Sequence, residues 1–149
     1  ARLTLATGVT TIRNLNATAD TDIAVRDLID YGFFPGPRLF TAGQGIAAKT
    51  PAEMEALVKQ RIKAGHPWIK IFGSKGGFDD VSTDQTVPFE AMQAAVEAAH
   101  AVGHKVAIHS YGPSGIRDAA RAGADSIEHG IDIDGGTTEQ AAPSGMSPL

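Results

Sequence analysis

A lysine inside an apolar run is the feature that most limits how this chain can fold. Residues 68–72 read Trp-Ile-Lys-Ile-Phe, and residues 73–77 read Gly-Ser-Lys-Gly-Gly. A short apolar run that ends in glycines is typical of a buried strand that leads into a loop. Because an unpartnered ammonium group is costly to bury, the sequence predicts that Lys70 meets a carboxylate, reaches solvent or is chemically changed.

Two later apolar runs end in a histidine. Residues 105–109 read Lys-Val-Ala-Ile-His, and residues 125–130 read Asp-Ser-Ile-Glu-His-Gly. In a parallel sheet of these three strands, Lys70, His109 and His129 gather at one end, where α/β proteins carry their active sites. Neutral imidazole is a common metal ligand, whereas an ammonium group has no lone pair. The pattern therefore favours a metal site with two histidine ligands, to which Lys70 contributes only when it is deprotonated or covalently modified.

Composition narrows the kind of partner and of metal site. The 149 residues have the size of one domain, and a net charge of -4 without a basic cluster indicates no nucleic-acid or acidic-membrane partner. The absence of cysteine excludes disulfides, zinc-thiolate sites and a thiol nucleophile, so a metal needs nitrogen and oxygen ligands. No apolar run has the length of a membrane span or of a signal-peptide core. We expect a soluble protein, cytoplasmic by default.

Apolar periodicity and turn residues predict five strands that alternate with helices. The expected strands are 9–15, 38–42, 68–72, 105–109 and 125–129, and the expected helices are 2–7, 22–30, 51–64, 89–102 and 114–122. Thr50 caps one helix and Asp20 or Thr21 caps another. Short connections between such units predict an α/β fold with parallel strands. The pattern covers residues 1–134, and residues 135–149 have the composition of a flexible tail.

Several polar residues near these runs have a structural interpretation. His100 and His104 flank Gly103, which favours a helix C-terminal cap over a metal pair. His66 lies in a turn before a strand and is expected to be structural. Glu128 neighbours His129 in a strand, so alternation predicts that it faces a helix on the opposite side of the sheet.

Five segments in order resemble the metal-dependent amidohydrolase superfamily, and its imidazolonepropionase-like and prolidase-like branch most closely. They are 8–14 (GVTTIRN), 36–40 (GPRLF), 65–71 (GHPWIKI) with Gly76 and Gly77, 105–109 (KVAIH), and 122–130 (AGADSIEHG). The resemblance implies a partial TIM-type (β/α) barrel of about five parallel strands with intervening helices. These strands correspond to barrel strands two to six.

The resemblance also implies an activity and a site. Members of this branch hydrolyse amide bonds of N-acyl amino acids, dipeptides and cyclic amides with a metal-activated water. Lys70 matches the lysine that is carbamylated in the family, and His109 and His129 match its metal-binding histidines. These three are the expected catalytic and metal-binding residues, with Arg13 and Tyr111 as substrate-binding residues.

The expected number of metal ions depends on which of the family's ligands have a counterpart in this chain. The family's His-x-His pair and its strand-eight aspartate have no counterpart here, so one divalent ion, zinc, is expected. Asp132 and Asp134 are candidate general bases only because they are close in sequence.

Two other functions stay open. The chain is either a non-catalytic fragment or an enzyme, and in both cases an open barrel exposes sheet edges, which predicts a homo-oligomer. A metal-independent serine-type esterase is the other alternative, with Ser74, Ser110 or Ser114 near a histidine.

Overall fold

The computed structural model describes residues 1–76 and 82–133. Strands and helices alternate in this part of the chain. The strands are β1 (Thr11–Asn14), β2 (Arg38–Thr41), β3 (Trp68–Phe72), β4 (Lys105–Ser110) and β5 (Ser126–His129). The helices are α1 (Arg2–Ala6), α2 (Thr21–Asp30), α3 (Pro51–Lys63), α4 (Phe89–His100) and α5 (Pro113–Arg121), and a 3-10 turn at Thr18–Asp20 precedes α2.

All five strands are parallel and follow their order in the chain. β1 pairs with β2, and β3, β4 and β5 form a second group in that order. A parallel bridge between Ile46 and Ile71 joins the two groups, because the Ile46 amide donates to the Lys70 carbonyl (2.8 Å) and the Phe72 amide donates to the Ile46 carbonyl (2.9 Å). This order confirms the predicted α/β fold of about five parallel strands with intervening helices.

Strand alternation decides which side chains of β3 meet the helices. Ile69 and Ile71 are fully buried in a core that also contains Met54 of α3 and Met92 of α4. Because successive side chains point to opposite faces of a strand, Lys70 lies on the other, inner face of the sheet. Each fully buried isoleucine contributes about 2 kcal/mol, so the core holds β3 in this orientation.

Helix starts follow the sequence signals in one case and depart from them in another. Thr50 caps α3 as predicted, since its Oγ1 accepts a hydrogen bond from the Glu53 amide (3.4 Å), and Pro51 occupies the first turn. The predicted side-chain cap of α2 is wrong. Asp20 precedes that helix, but it adopts a φ of 53° and makes no capping hydrogen bond.

The Asp20 side chain instead serves a buried polar cluster. Its Oδ1 lies 3.1 Å from His66 Nε2 and 3.4 Å from Arg61 Nη1. His66 is fully buried, and its Nδ1 lies 3.1 Å from Thr41 Oγ1. This arrangement agrees with the structural role expected for His66, because the imidazole links the end of β2 to the segments before α2 and β3.

The end of α4 is tied to the start of β5 through Asp125. His100, the last residue of α4, places Nε2 2.8 Å from Asp125 Oδ2, and Lys105 donates to Oδ1 (2.8 Å). Burial alone would raise the pKa of Asp125, but the hydrogen bonds from Lys105, His100 and the Val106 amide lower it to about 2. His104 contacts a backbone carbonyl two residues earlier (3.1 Å). Both histidines therefore have protein partners at the helix end.

The remaining sequence expectations concern the chain beyond these elements. In residues 1–76 and 82–133, none of the helices combines the length and apolar character that a bilayer crossing requires. The predicted tail at 135–149, Asp134 and Gly77 lie outside the described residues.

Candidate active site

The carboxyl ends of β3, β4 and β5 bring the three predicted site residues together. Register aligns Phe72 with His109 and Ser110 with His129. The His109 and His129 rings lie 4.7 Å apart between centroids. Lys70 Nζ and the His109 ring both lie against the Phe72 ring, 5.9 Å and 5.8 Å from its centroid. Lys70 and His109 are buried, whereas His129 is exposed at the strand end. The structure thus places Lys70, His109 and His129 in one cluster.

His129 reaches this cluster through an unusual backbone conformation. Ile127 packs toward the helices, so simple alternation would direct His129 to the same outer face. Its φ of 75° lies in the left-handed region, which costs a non-glycine residue about 1 to 2 kcal/mol. The change in chain direction lays the ring against His109 and against Tyr111, whose centroid is 5.1 Å away. No sequence pattern we used signals this turn.

The Tyr111 ring borders the imidazole rings of His109 and His129. Its ring lies 4.5 Å from the His109 ring in an edge-on arrangement, and its side chain is largely buried. The Tyr111 amide donates to Ser74 Oγ (3.3 Å), which holds the start of the following loop against the end of β3. The predicted substrate-binding residue therefore borders the site directly.

Electrostatics keep the His109 imidazole neutral. Burial, the largest cause, together with the charges of Lys70 and His129 lowers the pKa of His109 to about 4. Its Nε2 is buried and has no hydrogen-bond partner among the described residues. Buried polar nitrogens are normally partnered, so this lone nitrogen calls for a ligand.

The lysine is also shifted toward its neutral form. The pKa of Lys70 is lowered to about 8, mainly by burial; the charge of Glu128 opposes this change and the charge of Arg13 adds to it. A larger fraction of free amine is therefore present near neutral pH than for an ordinary lysine.

Glu128 lies on the inner face, so the prediction that it meets a helix is wrong. Its Oε1 lies 3.4 Å from Arg13 Nη2 and accepts a hydrogen bond from Ser126 Oγ (2.5 Å). The Arg13 guanidinium also stacks 4.5 Å above the Trp68 ring. The prediction takes His129 as the inward residue of regular alternation, whereas in the structure Glu128 occupies the inner face. The buried ammonium of Lys70 was the signal that a carboxylate should be nearby.

The serines that an esterase would use are not paired with a histidine. Ser110 Oγ is fully buried against Gly115, where a Cβ would lie only 2.4 Å from it. Ser74 Oγ accepts the amide described above, and Ser114 is exposed in the first turn of α5. Among the described residues, His109 Nε2 meets none of these hydroxyls.

Asp132, the candidate general base, lies shortly after β5 with its backbone bonded to the segment after β4. The Asp132 amide donates to the Tyr111 carbonyl (3.1 Å), and its side chain is exposed.

Within residues 1–76 and 82–133, no three His, Asp or Glu side chains are arranged to hold a metal ion. The predicted donors are two imidazoles and Lys70, a set that fits a metal once the lysine carries oxygen ligands.

Comparison with known proteins establishes the family. The chain belongs to the amidohydrolase family, whose model matches residues 2–140. A solved Xaa-Pro dipeptidase with methionine bound in its active site is 32% identical, with a TM-score of 0.87 over 94% of this chain and 41% of that chain. A protein of Bifidobacterium longum assigned as a prolidase is 34% identical, with a TM-score of 0.83 over 94% of this chain and 37% of that chain.

The chain spans only part of the proteins that it resembles. An uncharacterized protein of Mycobacterium tuberculosis is 26% identical over 100 residues, which are 65% of this chain and 26% of that protein. Together with the dipeptidase and prolidase matches, it shows that this chain corresponds to about two fifths or less of each relative. The fold is therefore a segment of the amidohydrolase TIM-type barrel, as predicted.

The shifted histidine gives a pH prediction. In metal-free buffer, the His109 imidazole should titrate near pH 4 in an NMR titration. The unfolded chain, with an ordinary His pKa near 6.5, binds this proton first. The free energy of unfolding should therefore fall as pH drops from about 6.5 to about 4. His109→Asn should remove this part of the slope, and His104→Asn is the control. A His109 resonance that titrates near pH 6.5 would contradict the described burial.

Proposed function

We propose that the protein is a metal-dependent hydrolase of amide bonds in which Lys70, His109 and His129 hold one divalent ion, with zinc as the expected metal. The observation that carries the proposal is the buried Nε2 of His109, which lies beside the His129 ring and has no hydrogen-bond partner in the described part of the chain. A neutral imidazole with a free lone pair is the form of histidine that binds zinc.

Lys70 needs a covalent change to join this ligand set. Its free amine would attack carbon dioxide, a nitrogen–carbon bond would form, and the nitrogen would lose a proton to water. The product is a carbamate whose two oxygens replace the ammonium. The lowered pKa of Lys70 supports this step, because only the neutral amine has the electron pair that the bond requires.

The chain's own residues have separable tasks around the ion. A bound zinc ion would lower the pKa of a water molecule and polarise a carbonyl. His109 supplies Nε2, Tyr111 holds that ring edge-on, and the backbone turn at His129 brings the second imidazole into reach. Asp132 stays the described candidate for accepting a proton, since its backbone amide donates to the carbonyl of Tyr111, whose ring borders the imidazoles.

The names of two relatives support the substrate class that we propose. The dipeptidase and the prolidase assignment support a dipeptide as the substrate. Other small amides and esters belong to the same proposal through the family resemblance. Arg13 and Tyr111 are the proposed substrate contacts, and Tyr111 has the more direct position because its ring borders both imidazoles.

Metal content tests the proposal before any activity is sought. Purified protein supplied with zinc and bicarbonate should bind about one zinc ion per chain by plasma mass spectrometry, as three ligands of one site require. Lys70→Ala and His109→Ala should each lose most of that zinc and any hydrolysis of a dipeptide panel. Lys105→Ala and His104→Ala are matched controls outside the cluster. Full zinc binding by both site variants would overturn the proposed ligand set.

A non-catalytic, self-associating role is the second candidate. Within residues 1–76 and 82–133, β1 pairs only with β2 and β5 pairs only with β4, so each leaves one edge open. Exposed apolar side chains add to these edges: Phe33 lies in the turn after α2, and Ile131 and Ile133 directly follow β5. Open edges and apolar surface favour association with another chain, so we propose a homo-oligomer for this 149-residue chain.

Light scattering tests this association. The chain should be a dimer or larger at micromolar concentration, and Phe33→Lys combined with Ile131→Lys should shift it toward monomer because charge opposes burial of those surfaces. Arg2→Lys is a control that keeps the charge of the terminus. A monodisperse wild-type monomer would contradict the proposal. Oligomers without zinc under any condition would favour the non-catalytic role.

A further inference from the structure

Arg13 joins the two strand groups across the inner face of the sheet. It lies on β1, yet its Nη2 contacts Glu128 Oε1 and Ser126 Oγ of β5, both at 3.4 Å. Its guanidinium stacks on Trp68 of β3. More than 110 residues separate Arg13 from its β5 partners, so the contact depends on the barrel-like arrangement of the strands.

These contacts leave most of the guanidinium free to bind something else. Both hydrogen bonds are long and use Nη2 alone, so Nε and Nη1 have no partner in the part of the chain that the structure describes. A guanidinium offers five N–H donors in a planar fork that matches a carboxylate. Ser126 already donates to Glu128 Oε1, so Glu128 keeps a partner when Arg13 turns away.

Lys70 is the group that both charges face. Strand register pairs Lys70 with Ala107 and Ala107 with Ser126, the serine whose Oγ contacts both Arg13 and Glu128. Lys70 therefore lies in the same inner-face row as the two charged groups, and in agreement Glu128 raises its pKa whereas Arg13 lowers it. Carbamylation would reverse the charge of this amine. The ammonium is attracted by Glu128 and repelled by Arg13, whereas a carbamate would be repelled by Glu128 and attracted by Arg13.

We propose that Arg13 is a positioning residue that stabilises the carbamate form of Lys70, turning from Glu128 toward the new carboxylate while stacked on Trp68. The inference rests on the proposed function, because it needs Lys70 to be carbamylated. It also gives Arg13 a task in addition to the substrate contact proposed above. Glu128 is then the resting partner of Arg13 and opposes the modification.

Carbamate occupancy tests this role directly. Protein equilibrated with ¹³C-bicarbonate and zinc should show a carbamate carbon in its ¹³C NMR spectrum, and Lys70→Ala identifies that signal. Arg13→Met, which keeps an apolar stem over Trp68, should reduce occupancy about fivefold, as expected for one lost charge contact in a partly exposed site. Arg13→Lys should retain part of the signal, because it keeps the charge without the planar fork.

The opposite variant separates positioning from simple support of the fold. Glu128→Gln should raise occupancy at limiting bicarbonate, since it removes the competing carboxylate and releases Arg13. Loss of a merely structural ion pair would lower occupancy in both variants. Arg121→Met is the matched control, because Arg121 also stacks on a ring (Phe89, 4.3 Å) and pairs with a carboxylate (Asp118, 3.1 Å) far from Lys70.

The only tryptophan of the chain supplies a second measurement. Trp68 emission should change when bicarbonate and zinc are added to the wild type, and this change should be absent in Arg13→Met. Wild-type occupancy in Arg13→Met, or reduced occupancy in Glu128→Gln, would overturn the role of Arg13 while leaving the proposed function intact. No carbamate in the wild type would overturn both.

Discussion

Lys70 lies on the inner face of β3 because Ile69 and Ile71 are held on the other face by α3 and α4. The strand cannot turn over without exposing two fully buried isoleucines, so the core decides where the amine goes. Lys70 is therefore buried on the inner face of the sheet. The charged and aromatic side chains that the neighbouring strands place around this amine make up the rest of the site.

The neighbours of Lys70 divide into a charged group and an aromatic group. Arg13 and Glu128 place opposite charges near the Lys70 amine on the inner face. The His109 and Tyr111 rings pack edge-on at the carboxyl end of β4. Burial works in the same direction on the lysine and on His109, because it favours the neutral form of each. A neutral amine and a neutral imidazole are the forms that can carry a carbamate and bind a metal.

Much of this arrangement follows from local patterns in the chain. The apolar run around Lys70, the cap at Thr50 and the histidine-ended strands predict the parallel α/β fold and the meeting of Lys70, His109 and His129. These signals act over a few residues, where periodicity and capping chemistry are strong. The family resemblance added the order of the strands within a barrel, which the matched model and solved structures confirm.

The features that the sequence did not predict depend on contacts between distant segments. Glu128 alternates with Ile127, which packs toward the helices, and on the inner face it pairs with Arg13 of the first strand. The His129 ring reaches the site because the residue has a positive φ. The Asp20 side chain contacts His66 and does not cap the helix that follows it. Alternation and capping rules describe one element at a time, so they cannot include a partner that arrives from another part of the fold.

An anomalous X-ray map at the zinc edge of crystals grown with zinc and bicarbonate tests the central claim most directly. The account predicts one strong peak within about 2.0 to 2.2 Å of an imidazole nitrogen of His109 and of His129, with density for a carboxylate extending from Lys70 Nζ. An unmodified Lys70 and no peak beside His109 in such crystals would contradict it.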